Sequence, residues 1–440
     1  MSYGSGRFPL ERASKLGHVK LVEHEQVTRL IRQFERIDTA ADKPVGALTG
    51  KLDLGAASPI RFVVAIDGGQ AVIPNEVRRD KRIAFIKVCA MLIRRDDIAY
   101  LRKNPVIDPR DLAKMFDGSI WYHPAVLPLA GIALPGESVK ETIRRTVDAV
   151  LEYTRLYDTL NYLVSRVWNS GYDMNLHTNP RAPHMNCLSC DAVIGLPRNA
   201  INFECPSCHF PHRLGDYLGI AQEAPEDWSR EEAAMSLRSA LETLTLFHFV
   251  IRYWKGKQDV LGETLFLKDG PLLLRAQLSR LVEPIRELVK QLKTEGVKVF
   301  IAGLEKNGEL VDHIEDIKKH LREPGDFFLP SVRYIVEEIA GLQFDPAKYR
   351  NRVQYGSKVV VRLGPDHVVP LDIPTGDFLT DPAADDLIGL AEIASVLADM
   401  TSYSHDNALI PIKLVNEYSS ISERPSGDIL KAFAGSLFAS

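Results

Sequence analysis

Residues 61–69 read RFVVAIDGG and residues 264–271 read TLFLKDGP, and the reading of these two stretches decides the fold. Each is a short, continuous apolar run closed by Asp-Gly, and the first is rich in β-branched residues. Runs that are apolar at successive positions fit strands covered on both faces. They predict buried strands that end at Asp67 and Asp269. A carboxylate at the carboxyl end of such a strand projects into the crevice where ligands bind, and the glycine behind it permits a sharp turn. If the strands are neighbours, the carboxylates converge, and converging carboxylates repel unless a hard cation such as Mg²⁺ or Mn²⁺ lies between them. Asp-Gly is also ordinary turn chemistry, so at either position alone both readings stand.

Outward from these runs, residues 278–295 read as a helix ending at Gly296, and Val297–Ala302 (VKVFIA) as another buried strand. This β-α-β order predicts a covered mixed or parallel sheet. Residues 358–363 and 367–373 form a predicted hairpin across Gly-Pro-Asp, and helices are predicted over about 139–168, 228–254, 382–400 and 411–422. Residues 10–37 carry Leu21, Val27, Leu30, Ile31 and Phe34 at helical spacing, an amphipathic helix that either docks a partner or packs on its own core. The proline-interrupted stretch 103–135 predicts loops or an insertion, and Cys89 reads as part of an apolar helical segment.

Two further features carry chemistry. Cys187-x-x-Cys190 and Cys205-x-x-Cys208, fourteen residues apart, predict a tetrahedral, structural Zn²⁺ site with no open position for catalysis. The alternatives are a lost site or one in which His184, His209 or His212 replaces a thiolate. Glu242 shares a helical stripe with Met235, Leu246 and Phe249, which turns a carboxylate toward the core. A buried acid requires a partner, either Arg238 one turn earlier or a metal shared with the two aspartates.

Fifty-four basic against 58 acidic residues give a net charge of −4, which excludes a global positive field for nucleic acid. Any nucleic-acid site is a local patch, for which Arg78, Arg79, Lys81 and Arg82 are candidates. The first residues lack the apolar core of a signal peptide, and no membrane span is evident, so the expectation is a soluble cytoplasmic protein.

The ordered set Ala65-Ile66-Asp67-Gly68, Leu241-Glu242, Leu267-Lys268-Asp269-Gly270-Pro271-Leu272 and Ile301-Ala302-Gly303-Leu304-Glu305-Lys306 resembles the NurA nuclease family. The strand pair 359–363 and 368–373 and the helix start Ile410-Pro411 follow in the same order. The resemblance implies an α/β, RNase H-like mixed sheet flanked by helices, here with a small zinc-ribbon insertion. It further implies a metal-dependent deoxyribonuclease using Mn²⁺ or Mg²⁺, a homodimer that works with the HerA-type hexameric translocase in DNA end processing or anti-phage defence. Carried over, Asp67, Glu242 and Asp269 are metal ligands, and Lys306 meets a phosphate. The family's histidine after the closing Tyr-Pro is absent. Glu417, or His405 and Asp406, stand in its place, and Gly69 and Pro271 replace the serines usual after each Asp-Gly. These departures leave open a weakly active or inactive adaptor subunit of a HerA complex. A resolvase- or transposase-type enzyme would share the carboxylates and not the Ala-Gly-x-x-Lys step. The implied domains are an N-terminal extension 1–59, a nuclease domain 60–423 interrupted over about 100–225 with the zinc ribbon at 183–213, and a tail 424–440.

Overall fold

The computed structural model describes residues 24–31, 33, 49–73, 81–103, 116, 118–223, 231–346, 352–402 and 408–435. The chain divides into two compact units, Met1–Pro44 and Val45–Ser440. In the first, one helix, Glu25–Ile31, is described, and the rest of the predicted helix 10–37, apart from residues 24 and 33, lies outside the described residues.

The second unit is built on a nine-stranded sheet. Its strands in chain order are β1 (Thr49–Lys51), β2 (Phe62–Ile73), β3 (Arg82–Arg94) and β4 (Ile120–Ala130), then, after the cysteine segment, β9 (Thr264–Asp269), β10 (Phe300–Leu304), β11 (Asp326–Phe328), β12 (Ser357–Gly364) and β13 (His367–Ile373). The spatial order is β1-β11-β12-β13-β10-β9-β2-β3-β4. Strands β2, β9 and β10 are parallel at the centre, and antiparallel pairs extend the sheet on both sides. This is the expected mixed α/β sheet flanked by helices.

Parity along the strands explains the continuous apolar runs. Val64 and Ile66 of β2 and Phe266 of β9 enter one core with the long helix Glu231–Gly256, while Val63, Ala65, Leu265 and Leu267 enter the other with the closing helix Ile410–Ser419. Both faces are dry, so alternation has no place in these strands.

The structure corrects four expectations. The first strand does not end at Asp67 but runs on to Ile73, with Asp67, Gly68 and Gly69 paired to Cys89, Val88 and Lys87 of β3. The glycines are there for close approach, not for a turn. A Cβ on Gly68 would lie 2.5 Å from Glu242 Oε1, and one on Gly69 would lie 2.2 Å from the carbonyl oxygen of Ser419. Cys89 is correspondingly in a strand and not in a helix. The stretch expected as loops contains β4, whose Pro124 and Pro128 are tolerated because β4 is the sheet edge. The predicted helix 139–168 is two helices, Val139–Tyr153 and Leu156–Val164, separated where Arg155 adopts a left-handed backbone at φ 60°. Residues 49–51 form β1 against β11.

Candidate active site and metal centre

Parallel pairing of β2 with β9 runs in register from Phe62 opposite Thr264 to Ile66 opposite Lys268. Asp67 and Asp269 are the next residue on each strand, so both carboxylates leave the same sheet face from adjacent strands. Neighbouring strands are about 4.8 Å apart, which fixes the two as near neighbours. Asp67 is 8% exposed. Its Oδ1 accepts from the Gly68 N–H at 2.7 Å and its Oδ2 from the Ser419 hydroxyl at 2.6 Å. Asp269 Oδ2 accepts from Lys306 Nζ at 2.7 Å and from Asn416 Nδ2 at 3.4 Å. Strand β9 ends here, and Gly270 turns away at φ 96°.

Glu242 comes from the long helix, on the opposite face, and lies over Gly68. Its Oε2 pairs with Lys268 Nζ at 3.0 Å and its Oε1 with Arg238 Nε at 3.5 Å. The Arg238 partnership considered from sequence is therefore real, and the nearer partner is Lys268, which alternates to this face between Leu267 and Asp269.

Charge accumulates around Asp67. Burial pushes its carboxyl above the usual carboxylate range, and the negative charges of Asp269 and Glu242 push the same way, against the stabilising bonds from Ser419 and Gly68. Burial pulls the Lys268 ammonium down, but Glu242, with Tyr355 and Asp269, outweighs it, and the net direction is up.

Of the residues expected from sequence, Asp67, Asp269 and Lys306 are brought together, and Glu242 approaches through the sheet. Glu417 lies on the exposed side of the closing helix, and Asn416 and Ser419 are the residues of that helix that reach the aspartates. His405 and Asp406 lie outside the described residues, as do Arg78 and Arg79. Arg82 is buried in an ion pair with Glu231, which removes it from the set of strand-guiding bases.

The oxygen donors of Asp67 and Asp269 suit a hard divalent ion, which is commonly held by one or two carboxylates together with substrate phosphate. Lys306 Nζ already places a positive charge against Asp269. Among the described residues, however, the four cysteines are the one set of three or more metal-ligand side chains whose ligand atoms gather closely. The donor pair Asp67 and Asp269 therefore fits such an ion better than the full three-carboxylate set, in which Glu242 is engaged by two cations. Replacement of Ser419 by alanine removes an orienting bond from Asp67 and is expected to weaken binding of a divalent ion offered to this pair about 10- to 100-fold, read from a Mn²⁺ titration of both proteins.

The cysteine segment forms two small hairpins, β5 (His184–Asn186) with β6 (Val193–Gly195) and β7 (Asn202–Glu204) with β8 (Pro211–Arg213). The four sulfurs lie within 4.8 Å of one another, with Cys187 to Cys208 at 3.6 Å and Cys190 to Cys205 at 3.7 Å. A tetrahedron with Zn–S of about 2.3 Å has edges of about 3.8 Å, so the thiolates are arranged for zinc. Backbone N–H groups of Ser189 and Ser207 donate to Cys187 and Cys205. His212 is a supporting group and not a ligand: its ring bridges Cys187 Sγ and Asp216, each at 3.3 Å, and Asp216 is clamped by Arg144 at 2.7 and 2.9 Å. Cys205→Ser is expected to take zinc content from about one equivalent per chain to none, measured by metal analysis after dialysis.

No family model and no curated protein matches this chain. It is similar to the crystal structure of the NurA nuclease from Sulfolobus solfataricus, at 12% identity and a TM-score of 0.38 over 96% of this chain and 97% of that one. It is also similar to a crystal structure of NurA, at 11% identity and a TM-score of 0.28 over 97% and 96% of the two chains. No helix among the described residues is long and apolar enough to cross a membrane.

Proposed function

We propose that the protein is a divalent-metal-dependent deoxyribonuclease that hydrolyses phosphodiester bonds at the Asp67–Asp269 crevice. The observation that carries this reading is the in-register placement of the two aspartates on adjacent parallel strands, with Asp67 raised in proton affinity by burial and by its acidic neighbours. A pair so arranged is strained at neutral pH unless positive charge enters. Mn²⁺ or Mg²⁺ held by Asp67 and Asp269 supplies Lewis-acid polarisation of the phosphodiester and a more acidic water. Ser419 and the Gly68 N–H orient the Asp67 carboxylate, and Asn416 does the same for Asp269. Lys306, on the loop after β10 and 43% exposed in its side chain, can hold a phosphate oxygen beside Asp269. Glu242 adds negative charge from beneath Gly68, steadied by Lys268.

The HerA-type translocase and the homodimer are proposed from the sequence resemblance alone, and a net charge of −4 is in keeping with delivery of DNA by a partner. The proposed boundaries follow the same source, a nuclease domain over 60–423 with the zinc ribbon at 183–213 inside it. One observation favours a second reading, a HerA-bound adaptor of weak or absent activity. The closing helix offers the aspartates a hydroxyl and an amide where the resembled family has an imidazole. The deciding experiment is cleavage of linear and circular DNA with Mn²⁺, with and without HerA, for wild type and Asp269→Ala. Cleavage lost in the variant at unchanged zinc content supports the nuclease. An inactive wild type that still binds HerA supports the adaptor.

A further inference from the structure

A cleft of about 350 Å³ opens between the base of the cysteine segment and the helix Val282–Thr294, and it is lined by Arg166, Arg181, Arg280, Arg286 and Arg352. Its size falls within the range of small-molecule sites, about 300–1,000 Å³. Glu283 is the one carboxylate in the lining, and none of the proposed catalytic residues belongs to it. Four guanidiniums and Glu283 line it beside Arg166, whose charge is met by Glu287, so in a chain whose net charge is −4 the lining makes a local field of the opposite sign to the whole.

Several of these groups are held in place by neighbouring residues. Arg166 is 1% exposed, donates from Nε to Glu287 at 2.6 Å and from Nη1 to the Val164 carbonyl at 3.0 Å, and lies over the Tyr172 ring at 4.5 Å. The Arg286 guanidinium donates to the Gln354 carbonyl and lies 5.1 Å from the Phe378 ring centre. The backbone of Arg280 is pinned by the Tyr217 hydroxyl, which donates to its carbonyl at 3.0 Å. Arg181, Arg280 and Arg352 pair with no carboxylate among the described residues. Anchored cations beside uncompensated ones form a fork-rich lining, and guanidinium forks match phosphate oxygens in pairs.

We infer that this cleft binds an oligophosphate or phosphomonoester anion, as carried by a free nucleotide or by the 5′ end of a strand. Such an anion bridges Arg181, which lies just ahead of β5, to Arg280 and Arg286 on the helical side, and so couples the cysteine segment to the helix layer. This goes beyond the nuclease reading and does not depend on it.

The test is calorimetry on the full zinc-loaded chain carrying Asp67→Asn, so that no oligonucleotide is cut, without added divalent metal. The probes are inorganic pyrophosphate, ATP, and one single-stranded decanucleotide with either a 5′-phosphate or a 5′-hydroxyl. The comparison variant is Arg181→Ala/Arg352→Ala, because both side chains are exposed, with an unchanged thermal midpoint and zinc content checked beside it. The expected result is saturable pyrophosphate binding that weakens at least about tenfold in the variant. A preference for the 5′-phosphorylated strand identifies a strand end as the source, and tight ATP binding with no preference between the strands identifies a free nucleotide. Absence of saturable pyrophosphate binding, or binding equal in the variant, overturns the inference.

Discussion

Asp67→Asn is expected to abolish metal-dependent cleavage and, in the same protein, to raise the thermal midpoint. The two effects have one origin. Asp67 is 8% exposed, and burial first, then Asp269 and Glu242, push its carboxyl above the usual range. An acid whose folded value is raised stabilises the fold only below its unfolded value, and that contribution is lost as pH rises through the folded one. At neutral pH the ionised Asp67 is therefore a load on the fold, and asparagine removes the charge while leaving an oxygen to accept from Ser419. Lewis-acid assistance is worth several kcal/mol, so losing the ligand lowers kcat at least about a thousandfold. The stability gain shrinks toward zero as pH falls below about 4, where the wild-type carboxyl also carries a proton. Added Mn²⁺ reverses the order: it stabilises the wild type by mass action and leaves the variant unmoved. Thermal melts from pH 4 to 8 with and without Mn²⁺, beside a cleavage assay, check all of this. A variant that melts lower than wild type at pH 7, or that keeps cleaving, is incompatible with the site described.

The difference between what the sequence revealed and what it concealed has physical causes. Strands β2, β9 and β10 were legible because burial on both faces demands unbroken apolar runs, whereas the sequence left open that β2 and β9 are parallel neighbours, and their pairing supplies the register that brings the aspartates together. Gly68-Gly69 misled because the same residue serves for turning and for close approach, and only the neighbours at Glu242 and Ser419 distinguish them. Strand β4 was hidden by Pro124 and Pro128, which local propensity counts against a strand and an edge position permits. Ser419 and Asn416 left no local signal at all, since their role arises from where a helix some 150 to 350 residues away packs against the strand ends. The cysteine spacing, by contrast, encodes its own geometry, and the sulfurs lie where the spacing put them.

Lys268→Met is the expected largest loss of stability, and its cycle with Glu242 decides what the buried pair is for. Lys268 and Glu242 are 6% and 8% exposed at their side chains, 3.0 Å apart, with Arg238 as the remaining cation at 3.5 Å. Removing one member of such a pair leaves a buried charge without its main partner and costs about 3–5 kcal/mol, read from denaturant midpoints. Because the Lys268 ammonium is raised, its contribution is full below about 10.5 and is lost only as pH climbs through the folded value, so the penalty is the same at pH 6 and pH 8. Replacing both residues, as Lys268→Met/Glu242→Gln, removes the orphaned charge and is expected to recover most of the loss, since paired burial of charge is not in itself a strong stabiliser. Stability therefore gives this protein little reason to keep an ionised glutamate under Gly68. If the double variant folds like wild type but has lost cleavage, Glu242 is held charged for the chemistry beside Asp67. If it folds and cleaves like wild type, Glu242 belongs to the core, and the site consists of the two aspartates with Lys306, Asn416 and Ser419.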